Sequence, residues 1–127
     1  MKVLGIGVDI VENKRINSLI KNDKFVKRVF SKNEIISSKK IIKKVSFFAK
    51  RFAAKESLAK AMGTGFRNNL NLKDVEILND NLGQPYYLKN KKINSLIKKR
   101  FNINKFNLFL SISDEKGYSV AFTILQS

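Results

Sequence analysis

Apolar and polar positions alternate from residue 3 to 12, VLGIGVDIVE, putting Leu4, Ile6, Val8 and Ile10 on one face and Gly5, Gly7 and Asp9 on the other. A period of two is that of a β-strand. NKRINSLIK, DKFVKRVF and SKNEIISSKK then read as short helices, with Asp23 and Ser31 as N-caps. A long helix is expected over 43–62, closed by Gly63 in a left-handed C-terminal position. FRNNLNLKD reads as a loop, VEILN as a strand, NDNLGQP as a turn and PYYLK as another strand. A helix near 91–101 precedes a hairpin of KFNLFLSIS and YSVAFTIL joined through DEKG.

These elements predict an α+β fold: a largely antiparallel sheet packed against one long helix and several short ones, in a single domain over 1–127. At 43% hydrophobic with ten Phe, the chain can bury a core, and no stretch is apolar for the roughly 18–20 residues of a membrane span. MKVLGIGVDIVE has a short apolar run and no small-residue cleavage site, so a cytoplasmic location is expected. There is no Cys and no His, which excludes thiolate chemistry and imidazole bases, and leaves oxygen as the donor for any metal.

The net charge of +16 favours anionic partners. Its weight is tempered by composition, because 21 of the 26 cations are Lys and the chain carries 14 Asn, the mark of a background bias that raises Lys everywhere.

Charge in the wrong place is more informative. On the long helix Val45, Phe48, Phe52, Leu58, Ala59 and Met62 share one arc, yet Arg51 and Lys55 fall inside it and Glu56 at its rim. Two readings fit: the cations face a ligand, or their stems cover the core while their heads reach water. Asp9 is similarly out of place, since Asp is depleted in strands. It stands on a face whose glycines admit another backbone or a ligand, or else at an exposed strand end. If the Asp9 strand packs on the Glu56 helix, two carboxylates meet, and a cation relieves their repulsion. Oxygen donors and few ligands suit Mg2+, with Arg51, Lys55 and Lys60 neutralising a phosphate.

GIGVDIVENKRI, RFAAKESLAKAMGTG, LGQP and SIS followed by YSVA, in that order, closely resemble the 4′-phosphopantetheinyl transferase superfamily in its short trimeric form. The resemblance covers nearly the whole chain. It implies transfer of the phosphopantetheine arm of coenzyme A to a serine of apo acyl carrier protein, with release of adenosine 3′,5′-bisphosphate, in fatty acid biosynthesis. It implies Asp9 and Glu56 as metal ligands and Lys60 beside the pyrophosphate, the three forming the catalytic set. Arg51 and Lys55 match the coenzyme A cleft. Gly63, Thr64, Gly65, Gly83 and Pro85 match segments lining the nucleotide end, and Ser113 belongs to the matching SIS. A homotrimer with a cleft at each subunit interface is implied as well.

Arg15, Lys21, Lys24, Lys27 and Arg28 cluster after the first strand, and Arg15 matches the family's docking arginine for an acidic carrier helix. One position departs. Where the family has S-x-S-H, this chain reads SISDE, so Asp114 replaces a histidine that contacts coenzyme A phosphates, and a carboxylate there should repel the ligand. The competing readings are a basic nucleic-acid-binding module, which no base-reading motif supports, and an inactive family member.

Overall fold

The computed structural model describes residues 1–67 and 69–127; Asn68, within the expected loop, lies outside the described residues. The chain runs β1 (Val3–Glu12), α1 (Asn13–Leu19), α2 (Asp23–Val29), α3 (Lys32–Ser38), α4 (Lys44–Met62), β2 (Ile77–Asn79), β3 (Pro85–Tyr87), α5 (Lys91–Phe101), β4 (Asn107–Glu115) and β5 (Tyr118–Gln126), with a 3-10 turn at Leu72–Asp74. The α+β expectation holds, and all strand pairing is antiparallel. The strands form two sheets, however: β1-β5-β4 and the short β2-β3 pair. Residue pairs such as Asp9 with Ala121 and Ile112 with Ala121 set the register of the larger one.

Local chemistry places the helix ends. Ser31 starts α3 in a reciprocal capping box with Glu34, which satisfies two backbone donors at once. Asn22, one residue earlier than expected, caps α2 by accepting from Lys24 and Phe25. Gly63 ends α4 at φ 76, a conformation that costs glycine little.

The inside of the larger sheet is the reverse of what its apolar content suggests. Gly5 and Gly7 face α4, and a Cβ on either would overlap the helix carbonyl of Ala61 or Ser57. The glycines therefore serve close approach of the helix backbone rather than a ligand. Ile6 and Ile10 point outward, 61% and 64% exposed, together with Val8, Phe109 and Phe122.

α4 is buried on nearly all sides rather than along one stripe. The β1 and β5 strands cover it on one side and α1 and α3 on another. Phe25, Phe30, Phe47, Phe48 and Phe52 interlock beside it, with ring centroids 4.6–6.3 Å apart. A helix so enclosed has no free polar face, so each of its charges must find a partner or an opening.

Candidate active site

Where β1 crosses α4, the small Gly5 and Gly7 bring Asp9 within reach of the helix. Lys60 Nζ donates to Asp9 Oδ1 at 3.1 Å and to the Val8 carbonyl at 3.0 Å. Glu56 lies close enough to feel both. Burial, and then the Asp9 charge, push its carboxyl above the usual carboxylate range, against the pull of Lys60 and Arg15. Asp9, Glu56 and Lys60 thus converge, and Arg15 stands at their edge with its guanidinium 5.8 Å from the Phe52 ring.

A pair of half-buried carboxylates, one of them already pushed toward its neutral form by burial and then by the other's charge, is an arrangement that a cation relieves. Among the described residues no group of three or more His, Cys, Asp or Glu could hold a metal ion. The pair therefore fits a hard cation that keeps waters and takes substrate oxygens, and does not fit an all-protein cage.

A second feature lies on another side of α4. A cleft of about 770 Å³ is bounded by α3, the start of α4, β2, the turn before β3 and the end of β4. Arg51, Gly83 and Pro85 line it, with Lys43, Ser46, Lys50, Asn79 and Asp114. Arg51, 9% exposed, stacks 3.7 Å over Phe47 and donates from Nη2 to Asn79 Oδ1 at 2.8 Å. Burial lowers its pKa, with Glu34 opposing. Its Nε is buried and has no acceptor among the described residues. An unpaired guanidinium donor costs free energy unless an anion satisfies it. Asp114 stands in the same cleft and accepts from Ser46 Oγ at 3.1 Å, so its carboxylate is held at the first turn of α4 while Lys43 and Lys50 supply cations nearby.

Lys55 requires a correction. It is fully buried and does not line the cleft: its Nζ donates to Glu34 Oε1 at 2.7 Å, to the Leu72 carbonyl at 3.1 Å and to the Val75 carbonyl. With every proton of the ammonium engaged, none is available to a ligand. Neither reading of the charged arc describes it, because its head is neither in water nor on a substrate.

The other expected residues are dispersed. Thr64 lines a smaller depression of about 470 Å³ with Arg67, Lys99 and Arg100, and Gly63 sits against Arg100, away from Gly83 and Pro85. Gly65 follows in the same turn, closing onto the Ala59 carbonyl. Ser113 is exposed and shares the outer face of the sheet with Ile10, across Val120. Lys21, Lys24 and Arg28 are exposed on and beside α2, where Lys27 pairs with Asp23 at 2.9 Å. Glu34 and Asn79 were missed from the sequence. The capping-box spacing from Ser31 marked Glu34 as an ordered carboxylate, whereas nothing marked Asn79 beyond its place at a turn.

The fold has a match among known proteins. The family model described as the 4′-phosphopantetheinyl transferase superfamily matches residues 5–123, and the chain belongs to that family. A holo-[acyl-carrier-protein] synthase of Pelagibacter ubique is 62% identical over 126 residues, covering 99% of this chain and 98% of the relative. The crystal structure of holo-[acyl-carrier-protein] synthase from Neisseria meningitidis superposes with a TM-score of 0.88 at 35% identity, covering 99% of this chain and 100% of that one. That of the Bacillus anthracis enzyme in complex with CoA (3′,5′-ADP) gives a TM-score of 0.81 at 35% identity, covering 98% and 97%. No helix among the described residues is long and apolar enough to cross a membrane.

Proposed function

We propose that the chain transfers the 4′-phosphopantetheine group of coenzyme A to a serine of apo acyl carrier protein, releasing adenosine 3′,5′-bisphosphate, in the cytoplasm and in support of fatty acid synthesis. The observation that carries the mechanism is the meeting of Asp9, Glu56 and Lys60 at the β1–α4 crossing. Asp9 and Glu56 are the residues that would hold Mg2+, whose chemistry there is to neutralise charge on the diphosphate. Lys60, half in solvent, can leave Asp9 for a phosphate oxygen and stabilise charge developing on the leaving group. The serine oxygen attacks the phosphorus next to the pantetheine, and the bond to the nucleotide phosphate breaks. Glu56 is the carboxylate placed to receive the serine proton, directly or through water. The buried donors of Arg51 and the cations Lys43 and Lys50 support reading the cleft as the seat of the coenzyme's nucleotide phosphates.

One geometric point favours an assembly. Around the α4 axis Glu56 and Lys60 lie about 140° and 180° from Arg51, so the carboxylates and the cleft of one chain face different directions. A copy packed on the apolar outer sheet could bring one chain's carboxylates to another's cleft. The homotrimer with interfacial sites supplies that copy and covers Ile6, Val8 and Ile10. Val8→Lys should convert the trimer to monomers in sedimentation and abolish transfer; a variant of unchanged mass would remove this face from the interface. Arg15, with Lys21, Lys24 and Arg28, would steer an acidic carrier helix toward Glu56.

The decisive assay follows label from the pantetheine of coenzyme A into apo carrier protein. Incorporation should require Mg2+ and should fall at least about a thousandfold in Asp9→Ala and Glu56→Ala, matching the several kcal/mol such charge stabilisation supplies. Both variants should retain a cooperative unfolding transition. Full Mg2+-dependent turnover in either would refute the assignment, and no incorporation by the unaltered chain would identify an inactive family member.

A further inference from the structure

The buried pair formed by Lys55 and Glu34 does more than fill the interior. Glu34 Oε1 accepts from Lys55 Nζ at 2.7 Å and from the Ser31 backbone at 2.9 Å, while Oε2 accepts from the Ile77 backbone at 3.0 Å. Lys55 also ties down the Leu72 and Val75 carbonyls. One ion pair therefore clamps three segments to α4: the start of α3, the 3-10 turn and the first residue of β2.

Two residues beyond Ile77, Asn79 accepts from Arg51 with its oxygen and donates from Nδ2 to the Gly83 carbonyl at 2.9 Å. Arg51 stands one helical turn before Lys55, on the same side of α4. The clamp at Ile77 thus fixes the strand whose next outward polar side chain orients both the buried guanidinium and the Gly83 turn. These are two walls of the cleft.

We infer that Glu34 and Lys55 are positioning residues for coenzyme A binding, setting β2 so that Asn79 holds Arg51 and the Gly83 turn in a phosphate-accepting arrangement. Lys55 does not line the cleft, and Glu34, which borders it, has both carboxylate oxygens engaged within the protein, so neither is assigned a hydrogen bond to the ligand. The inference rests on the reading of this cleft as the coenzyme seat, and it predicts a defect in binding rather than in chemistry.

The test compares Lys55→Met with Ile97→Ala, a variant of the buried α5 core that lowers the melting temperature without touching this network. In Lys55→Met the Kd for adenosine 3′,5′-bisphosphate and the KM for coenzyme A should rise about tenfold, the cost of one displaced charge-assisted hydrogen bond. The kcat and the KM for carrier protein should be unchanged. Amide exchange over 77–83 should quicken relative to β4 and β5. Glu34→Gln combined with Lys55→Met removes the stranded carboxylate and keeps an oxygen for the Ile77 N–H, so it should recover most of the affinity. If Lys55→Met does not fold, Glu34→Gln alone carries the comparison, with the same weaker binding and quicker exchange expected. Unaltered affinity and exchange in the folded single variant, or equal changes in Ile97→Ala, would overturn the inference. If the unaltered chain does not bind the bisphosphate, the coenzyme reading fails instead, and exchange over 77–83 still decides whether the clamp positions β2.

Discussion

Two lysines five positions apart on α4 each bind a carboxylate from another element, and the two pairs differ in nearly everything else. Lys55 meets Glu34 at 2.7 Å with both side chains sealed, 0% and 1% exposed. Lys60 meets Asp9 at 3.1 Å with 54% and 15% exposed. Water decides what each can do. Burial drags the Lys55 pKa down even against the attraction of Glu34, so the ammonium persists only because the carboxylate and two carbonyls surround it. A lysine that cannot lose a partner without great cost cannot exchange one for a substrate. Lys60 can, since an exposed pair is worth about 0–1 kcal/mol and its long stem moves freely. The same helix thus carries one lysine sealed into the architecture and one free to exchange its partner, and the sign of the charge does not tell them apart.

Truncating the two separates these roles most sharply. Lys60→Ala should lower turnover by about 10²–10³-fold, as for loss of a single transition-state donor, while leaving the melting temperature nearly unchanged. Lys55→Ala should do the opposite. It strands the Glu34 carboxylate, costs about 3–5 kcal/mol of stability and lowers the melting temperature by about 10 °C or more. Calorimetry and initial rates on the two variants suffice. A Lys60 variant that melts early with normal turnover, or a Lys55 variant as stable as the parent, would erase the contrast.

How much of this contrast was legible beforehand follows from the kind of signal each residue leaves. Asp9 was legible because a carboxylate is rare within a strand, and Glu56 and Lys60 because their motif resembles a known family. The ends of α3 and α4 were legible because Ser31 and Gly63 act within a few residues of the backbone they satisfy. Lys55 was not. Its partner Glu34 comes from another helix, and a cation inside an apolar arc looks the same whether it meets a substrate or a buried acid. Only the Ser31-to-Glu34 spacing, which suits a capping box, could have hinted that Glu34 was fixed in place. The faces of β1 were left unassigned for a related reason. Alternation separates Ile6, Val8 and Ile10 from Gly5, Gly7 and Asp9, but it does not say which side meets the helix. Helix approach selected the glycine side, leaving the apolar residues outward.

Between the two lysines lies an uncharged counterpart that sharpens the comparison. Ser57 Oγ lies 2.6 Å from Thr123 Oγ1, and Tyr87 Oη lies 2.7 Å from the same oxygen and donates to the Ala54 carbonyl at 2.6 Å. This hydroxyl cluster joins α4 to β3 and β5 without any ionic group. Burial pushes the Tyr87 phenol up to about 12, against the smaller opposing pull of its hydrogen bonds to Ser57 and Thr123. A phenol whose folded pKa exceeds its unfolded value near 10 contributes stability that is intact below pH 10 and lost as pH rises toward 12. Two pH units correspond to about 3 kcal/mol at most. Tyr87→Phe leaves the Ala54 carbonyl and Thr123 short of a partner, so it should be less stable near neutrality by about 1–2 kcal/mol. Above pH 10 it lacks the ionisation that weakens the parent, and the gap between the two should close. Taking the difference between the two chains cancels the titration of the lysines they share. Denaturant unfolding between pH 8 and 11 measures it, and parallel stability curves would mean that the phenol ionises as easily folded as unfolded.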